Sequence, residues 1–585
     1  MRKLNNAPEL PRRLRTIVRA REWPRIVLAA IIGAVAGLIV TIMSASVDLL
    51  HSVLFGLQPG ERLSGQTVLD PQYVLLTLCL GGILFGLAGA LIARRRGTEV
   101  DPIEANALHG GRMSVEGSLI VATQTVWSSG IGASVGLEAG YTQLAGGIAS
   151  YVGQAFHLRR ADLRLLVGCG AAGAIAGAFS APLAGAFYAF ELIIGSYSIT
   201  SLAPVGMAAL TGYLTAQAFT PLPLGIHVVA ASAVGARDLA AAGGVGLIAA
   251  IFGIALMRGV AFCENILARM KLPPWLRPAL GGTLVALLAM VSPQVLSSGH
   301  GALRLTGLID LPFGTIATIF VLKSLASVIS LGTGFRGGLF FASLLLGALG
   351  GQLFAVALNS VWPDLHVDPN LYAVVGMSAL AASVIGGPLT MVFIALESTG
   401  DLWLTVAALI AVIVSAQVTR EFFGYSFATW RFHLRGESIH SAADIGWIRD
   451  LTVGTMMRTD VTTVSADTVI SSFQKAFPLG STSHVIAVDR EGRYAGMVPV
   501  AGAYAPGLLP SDPIKPLLQD TEQFLTAEMT IQEAIAVFDG AEAEELAVVE
   551  PNETRRVVGL LNEAYALRRY TAASDLRRRE LTGTR

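Results

Sequence analysis

Pro182-Leu183-Ala184-Gly185 leads to Phe190-Glu191, and Pro388-Leu389-Thr390-Met391 leads to Leu396-Glu397. In each stretch the glutamate stands nine residues after the proline, and the copies lie 206 residues apart, from Pro182 to Pro388 and from Glu191 to Glu397. Earlier in each copy, Gly136-Leu137-Glu138 and Gly338-Leu339-Phe340 stand 202 apart. An internal repeat of this length in apolar sequence is the pattern of transporters that place their site between two halves.

The sequence around the repeat is lipid-compatible. Of 585 residues, 53% are hydrophobic and 14% charged, with a mean hydropathy of +0.61; soluble domains carry about a quarter charged residues. Between Leu165 and Gly235 the only charged residue is Glu191, with His227 the one imidazole, and between Gly117 and Phe156 the only charge is Glu138. Each stretch exceeds the roughly 20 apolar residues that cross a hydrocarbon core. Gly and Pro interrupt the segments at Gly173–Gly177, Pro182, Pro204, Pro221, Gly334–Gly338 and Gly386–Pro388. Helices broken at membrane depth are tolerated only where they line a cavity or are buried in protein.

The N-terminus carries Arg12, Arg13, Arg15, Arg19 and Arg21 and runs into an apolar stretch from Ile26 with no small-residue cleavage site, so it reads as a first membrane helix. By the positive-inside rule the basic clusters Arg12–Arg21, Arg94–Arg96 and Arg159–Arg164 face the cytoplasm. Zero net charge argues against nucleic acid as a partner. Cys79, Cys169 and Cys263 lie far apart, so neither a metal site nor a disulfide framework is expected.

After about Glu437 the composition becomes that of a soluble domain with its own repeat. Val464-Ser465-Ala466-Asp467-Thr468-Val469-Ile470 through Phe477 matches Leu525-Thr526-Ala527-Glu528-Met529-Thr530-Ile531 through Phe538, 61 residues on. The strands Val485–Asp489 and Leu546–Glu550 keep the offset, and Arg490-Glu491-Gly492 makes the first hairpin turn. The expected fold is an all-α polytopic membrane domain, two repeats of short, tilted, broken helices for which inverted and parallel arrangements both stay open with inversion favoured, followed by a small α/β domain. Expected boundaries are 1–22 for the cytoplasmic N-terminus, 23–436 for the membrane domain and 437–585 for the tail, with tail repeats at about 451–505 and 515–570.

Glu138 is the most informative residue. A carboxylate in an uncharged membrane stretch costs roughly 2.5–3.5 kcal/mol even on the lenient insertion scale. Ser128, Ser129, Gly130, Gly132, Gly136 and Gly140 surround it, which predicts a tight turn opening into a helix through Gln143 toward Tyr151. A helix N-terminus binds an anion or a carboxylate equally well. A glutamate there can occupy an anion seat and leave when protonated, which makes it a gate. The plainer alternative is a glutamate that caps its own helix.

Gly136-Leu137-Glu138-Ala139-Gly140-Tyr141-Thr142-Gln143 resembles the G-R-E-G-P-x-x-Q motif of the CLC family of chloride channels and chloride/proton exchangers. Gly338-Leu339-Phe340-Phe341-Ala342 is similar to that family's G-x-F-x-P, and Phe179-Ser180-Ala181-Pro182-Leu183-Ala184-Gly185 with Phe190-Glu191 to the segment after its gate. The tail resembles a tandem pair of CBS domains. The resemblance implies a homodimer with one pore per subunit, in the bacterial inner membrane with both termini cytoplasmic. It implies Glu138 as gate and proton site, and as anion ligands the backbone amides near Phe340 and Phe341, the Tyr425 hydroxyl and Thr98. Gly136, Gln143, Gly338 and Glu191 are implied as structural residues near the pore. Bland readings stand beside these: core packing for Phe340, a membrane-interface tyrosine for Tyr425.

Several positions depart from the family pattern. Gly97-Thr98-Glu99-Val100-Asp101-Pro102 stands where the family has G-S-G-I-P, Leu137 replaces arginine, Ala139-Gly140 replaces Gly-Pro, and Ala342 replaces proline. Leu192 stands where many exchangers carry an inner proton-accepting glutamate, so the expectation leans to a channel-like or weakly proton-coupled conductor; a chloride/proton antiporter with a water-mediated inner path is the alternative. In the tail, Asn562-Glu563-Ala564 and Pro499-Val500-Ala501 lack the aspartate that nucleotide-binding CBS pairs often carry, so no cofactor is expected and the transported anion is the ligand. An intramembrane enzyme would need a catalytic set; Asp310 and Asp401 sit at segment ends, and His300 in Gly299-His300-Gly301 has no evident partner, so no enzyme is expected.

Overall fold

Apolar composition makes the helices and Pro and Gly set their ends. Pro102, Pro182, Pro369 and Pro388 each occupy the first turn of a helix, where the missing N–H costs nothing. The repeat reaches the backbone at the other ends: Ser180 and Gly386, 206 apart, both take left-handed φ (53° and 85°) to close the helices Arg160–Phe179 and Pro369–Ile385. The computed structural model describes residues 11–58, 60–95, 99–219, 234–303, 311–363, 367–434, 451–541, 543–550 and 554–582. Thr98, Pro221, His227, Asp310 and the 436/437 boundary fall outside the described residues. The chain divides into two units, Met1–Asp444 and Ile445–Arg585.

In the first unit, eight helices among the described residues are long and apolar enough to cross a membrane. Shorter apolar helices, Pro182–Ile194, Arg277–Val291, Pro369–Ile385 and Pro388–Thr399, stand among them. The two halves match in paired long helices. Glu22–Phe55 and Ala236–Arg269 are both 34 residues long, and Ile199–Phe219 and Leu402–Phe422 both 21. Small residues let the helices touch backbone to backbone: a Cβ on Gly37 would strike the Gly212 carbonyl, and one on Gly347 the Gly376 carbonyl. Arg25 pairs with Asp162 at 2.6 Å, which brings the Arg12–Arg21 and Arg159–Arg164 clusters to one end of the unit.

The halves join through two reciprocal contacts. Gly136 and Gly338 form an antiparallel bridge in which each N–H donates to the other's carbonyl, at 3.0 and 3.1 Å. Glu191 accepts from the Leu389 and Thr390 amides at 2.8 and 2.9 Å, while Glu397 accepts from the Leu183 and Ala184 amides at 2.8 and 2.9 Å. Each half's glutamate therefore caps the short Pro-led helix of the other half, where the dipole and free amides favour a carboxylate. Both contacts have two-fold character.

The second unit repeats one motif. β1 (Thr463–Ser465) runs parallel to β2 (His484–Val488), which pairs antiparallel with β3 (Tyr494–Pro499). β4 (Leu525–Thr526), β5 (Glu545–Val549) and β6 (Val557–Asn562) repeat that order. Helices Ile470–Ala476 and Ile531–Ala541 follow β1 and β4, and Ile486, Tyr494 and Met497 pack on Ala547 and Val549 between the copies. His484 and Glu545 are equivalent positions, 61 apart, and their side chains meet at 3.6 Å. The neighbouring Glu545 carboxylate raises His484 above its ordinary value, and His484 lowers Glu545 in return.

The sign of the linkage follows from those directions. A raised histidine stabilises the fold fully below its unfolded value, about 6.5, and that gain is lost as pH rises through the raised value. A depressed glutamate contributes above about 4.3 and loses its share as pH falls through the depressed value. The pair is therefore strongest between those limits. His484→Gln should remove at most about 1 kcal/mol from this unit at pH 5.5 and much less at pH 8.5, read by amide exchange of β2 and β5 in the full chain. Equal losses at both values would contradict the assignment.

Candidate functional site

The Gly136–Gly338 bridge sets two helix N-termini side by side at the junction of the halves: Glu138–Ala155 and Phe340–Val361. Their leading amides have no acceptor four residues back within the helix. Close approach requires the glycines, since a Cβ on Gly136 would collide with the Glu138 carboxylate and one on Gly337 with Val135. Glu138 is 4% exposed. Its Oε1 accepts from the Phe341 amide at 2.9 Å, and its own backbone amide also faces the carboxylate. Its Oε2 is buried with no hydrogen-bond partner among the described residues. A carboxylate thus lies across the N-terminus of the opposite half's helix, held through one oxygen.

Gln143 donates to the Val100 carbonyl at 2.8 Å, tying the helix Glu138–Ala155 to the segment that follows Thr98. In that segment Asp101 accepts from the Glu104 amide at 2.9 Å and caps the short helix Pro102–Leu108. The rings of Phe340 and Phe341 are buried and serve packing, Phe340 at 4.6 Å from Phe179 and Phe341 at 5.8 Å from it. Only their backbone is available as an anion donor. Tyr425 packs with Phe423 and Trp430, at 6.4 and 5.5 Å between ring centroids. Glu191 serves as the cap described above and also accepts from the Thr390 hydroxyl at 2.6 Å. Leu192, 8% exposed, packs with Ile103, Val167 and Ile193. Asp401 caps the helix Leu402–Phe422.

One expectation is corrected. His300 does have partners: its Nδ1 meets the Ser298 hydroxyl, and its ring stacks on Phe341 at 3.5 Å between centroids. The Phe341 contact is illegible in the sequence because Phe341 lies on a different helix, whereas Ser298 is only two residues away. Lys323 also stands near Glu138. It is fully buried on the helix Phe313–Gly332 and donates to the Val295 and Ser297 carbonyls at 3.1 and 2.8 Å, within electrostatic reach of Glu138. It is the lone charge between Asp310 and Arg336, marked out in the sequence by the same cost that marks Glu138.

Residues 92–420, more than half of the chain, match the family model described as "Voltage gated chloride channel". A putative chloride channel protein ClcB-like from Ralstonia nicotianae is 33% identical over 336 residues, 56% of this chain and 77% of the relative. The voltage-gated ClC-type chloride channel ClcB of Escherichia coli O17:K52:H18 is 29% identical over 402 residues, 68% of this chain and 96% of the relative. Among solved structures, a slow cyanobacterial Cl-/H+ antiporter matches with TM-score 0.62 and 20% identity, covering 70% of this chain and 97% of that one. A eukaryotic CLC transporter matches with TM-score 0.60 and 16% identity, covering 94% and 98%. At these identities the solved structures bear on the fold.

Proposed function

Because the chain belongs to the voltage gated chloride channel family, we propose that it moves chloride across a bilayer, through a path that Glu138 opens and closes. The observation that carries this reading is the buried carboxylate seated on the Phe341 amide at the paired helix N-termini, one oxygen without a partner among the described residues. Such a seat suits a small anion, and a side chain that occupies it competes with the anion. Protonation removes the charge that holds Glu138 there, so acid favours conduction. The amides at Phe340 and Phe341, the Tyr425 hydroxyl and Thr98 are the further anion ligands of this reading, with the protein a homodimer in a bacterial inner membrane and both termini cytoplasmic. The tail serves dimerisation or stability. Asn562, where a nucleotide site would want an aspartate nearby, is engaged with Glu545 at 3.3 Å and the Tyr565 amide at 3.1 Å.

Conduction is channel-like or weakly proton-coupled in this reading, supported by Leu192, an apolar side chain in apolar surroundings that cannot accept a proton. The alternative is an exchanger in which water carries protons to Glu138; two solved relatives are described as antiporters, for chloride and for fluoride. Reversal potentials in proteoliposomes under a pH gradient test the reading. A potential that follows the chloride ratio alone is expected. A potential that moves with the pH gradient supports the exchanger, and absence of chloride flux from folded protein defeats the reading altogether.

A further inference from the structure

Tyr188 is the last residue of the short helix Pro182–Tyr188, directly before the π-helical turn Ala189–Ile194. Such turns often mark functional positions. It is packed against two separate clusters: one holds Leu137, Tyr141, Phe340 and Phe341 around the gate, and the other holds Ile103, Leu192 and Ile193. Its ring lies 6.0 Å from that of Phe340. The side chain therefore bridges the ground between Glu138 and Leu192.

The repeat shows that this hydroxyl is not a packing requirement. One residue earlier, Phe187 and its equivalent Phe393 stack on each other at 4.4 Å, so the symmetry of the halves is kept there. At the next position the equivalent of Tyr188 is Ile394, a buried core residue. One half thus carries a hydroxyl where the other is purely apolar, and a hydroxyl in an apolar interior is costly unless it is used.

What it faces narrows the use. The phenol is directed to the Thr142 hydroxyl, with Glu138 and Asp101 in electrostatic reach. The Thr142 proton is already committed, since that hydroxyl donates to the Glu138 carbonyl at 2.6 Å. In this pair the O–H proton of Tyr188 is the one left to donate, and a phenolic O–H rotates without disturbing its ring.

We propose that Tyr188 is an anion ligand of the conduction path: its hydroxyl turns from Thr142 to the passing anion on the Leu192 side of Glu138 and helps to choose which anion is preferred. This rests on the reading of Glu138 as the gate. It names a ligand that none of the motifs supplies.

The test compares wild type, Tyr188→Phe, Glu138→Ala and the double variant in proteoliposomes, reading chloride affinity, the chloride-to-nitrate preference and the pH response. Phenylalanine keeps the ring against Phe340. Losing one hydrogen bond to a charged ligand should weaken chloride affinity about tenfold and shift the chloride-to-nitrate preference, in both the wild-type and the Glu138→Ala backgrounds, with the pH response of Glu138 retained in the single variant. Incorporation of 3-fluorotyrosine at position 188, a stronger donor of the same shape, should move affinity the opposite way. Unchanged affinity and preference in Tyr188→Phe, or a fall in thermal stability as the only change, overturns the proposal. An unaltered pH response in Glu138→Ala would defeat the gate reading, which is a separate failure.

Discussion

Glu138→Gln and Glu138→Ala should both keep anion flux and lose its dependence on pH. The wild-type carboxylate holds the Phe341 amide at 2.9 Å while its second oxygen has no partner among the described residues. It is thus well enough held to block the seat and poorly enough held to leave it. Glutamine is the protonated form made permanent; alanine removes the competitor outright. A charge-assisted hydrogen bond contributes about 1.5–3 kcal/mol, so removing it should raise anion occupancy of the seat, and flux at neutral pH, by about tenfold to a hundredfold. Flux assays between pH 4.5 and 8 check this. Loss of flux in both variants, with the protein still folded, would show that Glu138 supports the path and does not gate it.

Glu191→Leu should be among the most destabilising single changes in the membrane unit. Pro388 has no N–H, so the helix it leads relies on the next two amides, Leu389 and Thr390, and both donate to Glu191 along with the Thr390 hydroxyl. Leucine strands all three donors, the Thr390 amide and hydroxyl on a fully buried residue and the Leu389 amide on an exposed one. At about 1–3 kcal/mol for each stranded donor, partly recovered by relaxation, the expected cost is about 3–5 kcal/mol. Glu397→Leu strands two donors, Leu183 and Ala184, and should cost less. Glutamine at position 191 keeps an acceptor oxygen and should fall between leucine and wild type. Thermal unfolding in detergent, followed by size-exclusion recovery, gives the order. Leucine variants as stable as wild type would mean the caps are incidental.

Much of this was legible in the sequence, for identifiable reasons. Both repeats are printed in the chain, so the spacing of Pro182–Glu191 and Pro388–Glu397 announces the two halves, and the 61-residue period announces the paired β-sheets of the tail. Glu138 is legible because an isolated charge in lipid is expensive, and Lys323 is legible by the same rule. The reciprocal caps were not. Recurrence of a glutamate says that it is structural, but not that each copy reaches across to the other half's helix. Tyr188 and His300 are invisible for a related reason: their significance comes from Phe340 and Phe341 respectively, more than 150 and more than 40 residues away in the chain, and only the packing of separate helices brings them together.

The central claim is that Glu138 and a mobile anion compete for one seat at the paired helix N-termini. Bromide located by anomalous scattering in crystals of wild type and Glu138→Gln at neutral pH tests it most directly. A bromide peak on the Phe341 amide in the variant, at the place the wild-type carboxylate occupies, is the predicted result. A variant with no anion there, or a wild type with bromide on that amide while Glu138 has not moved, would contradict it.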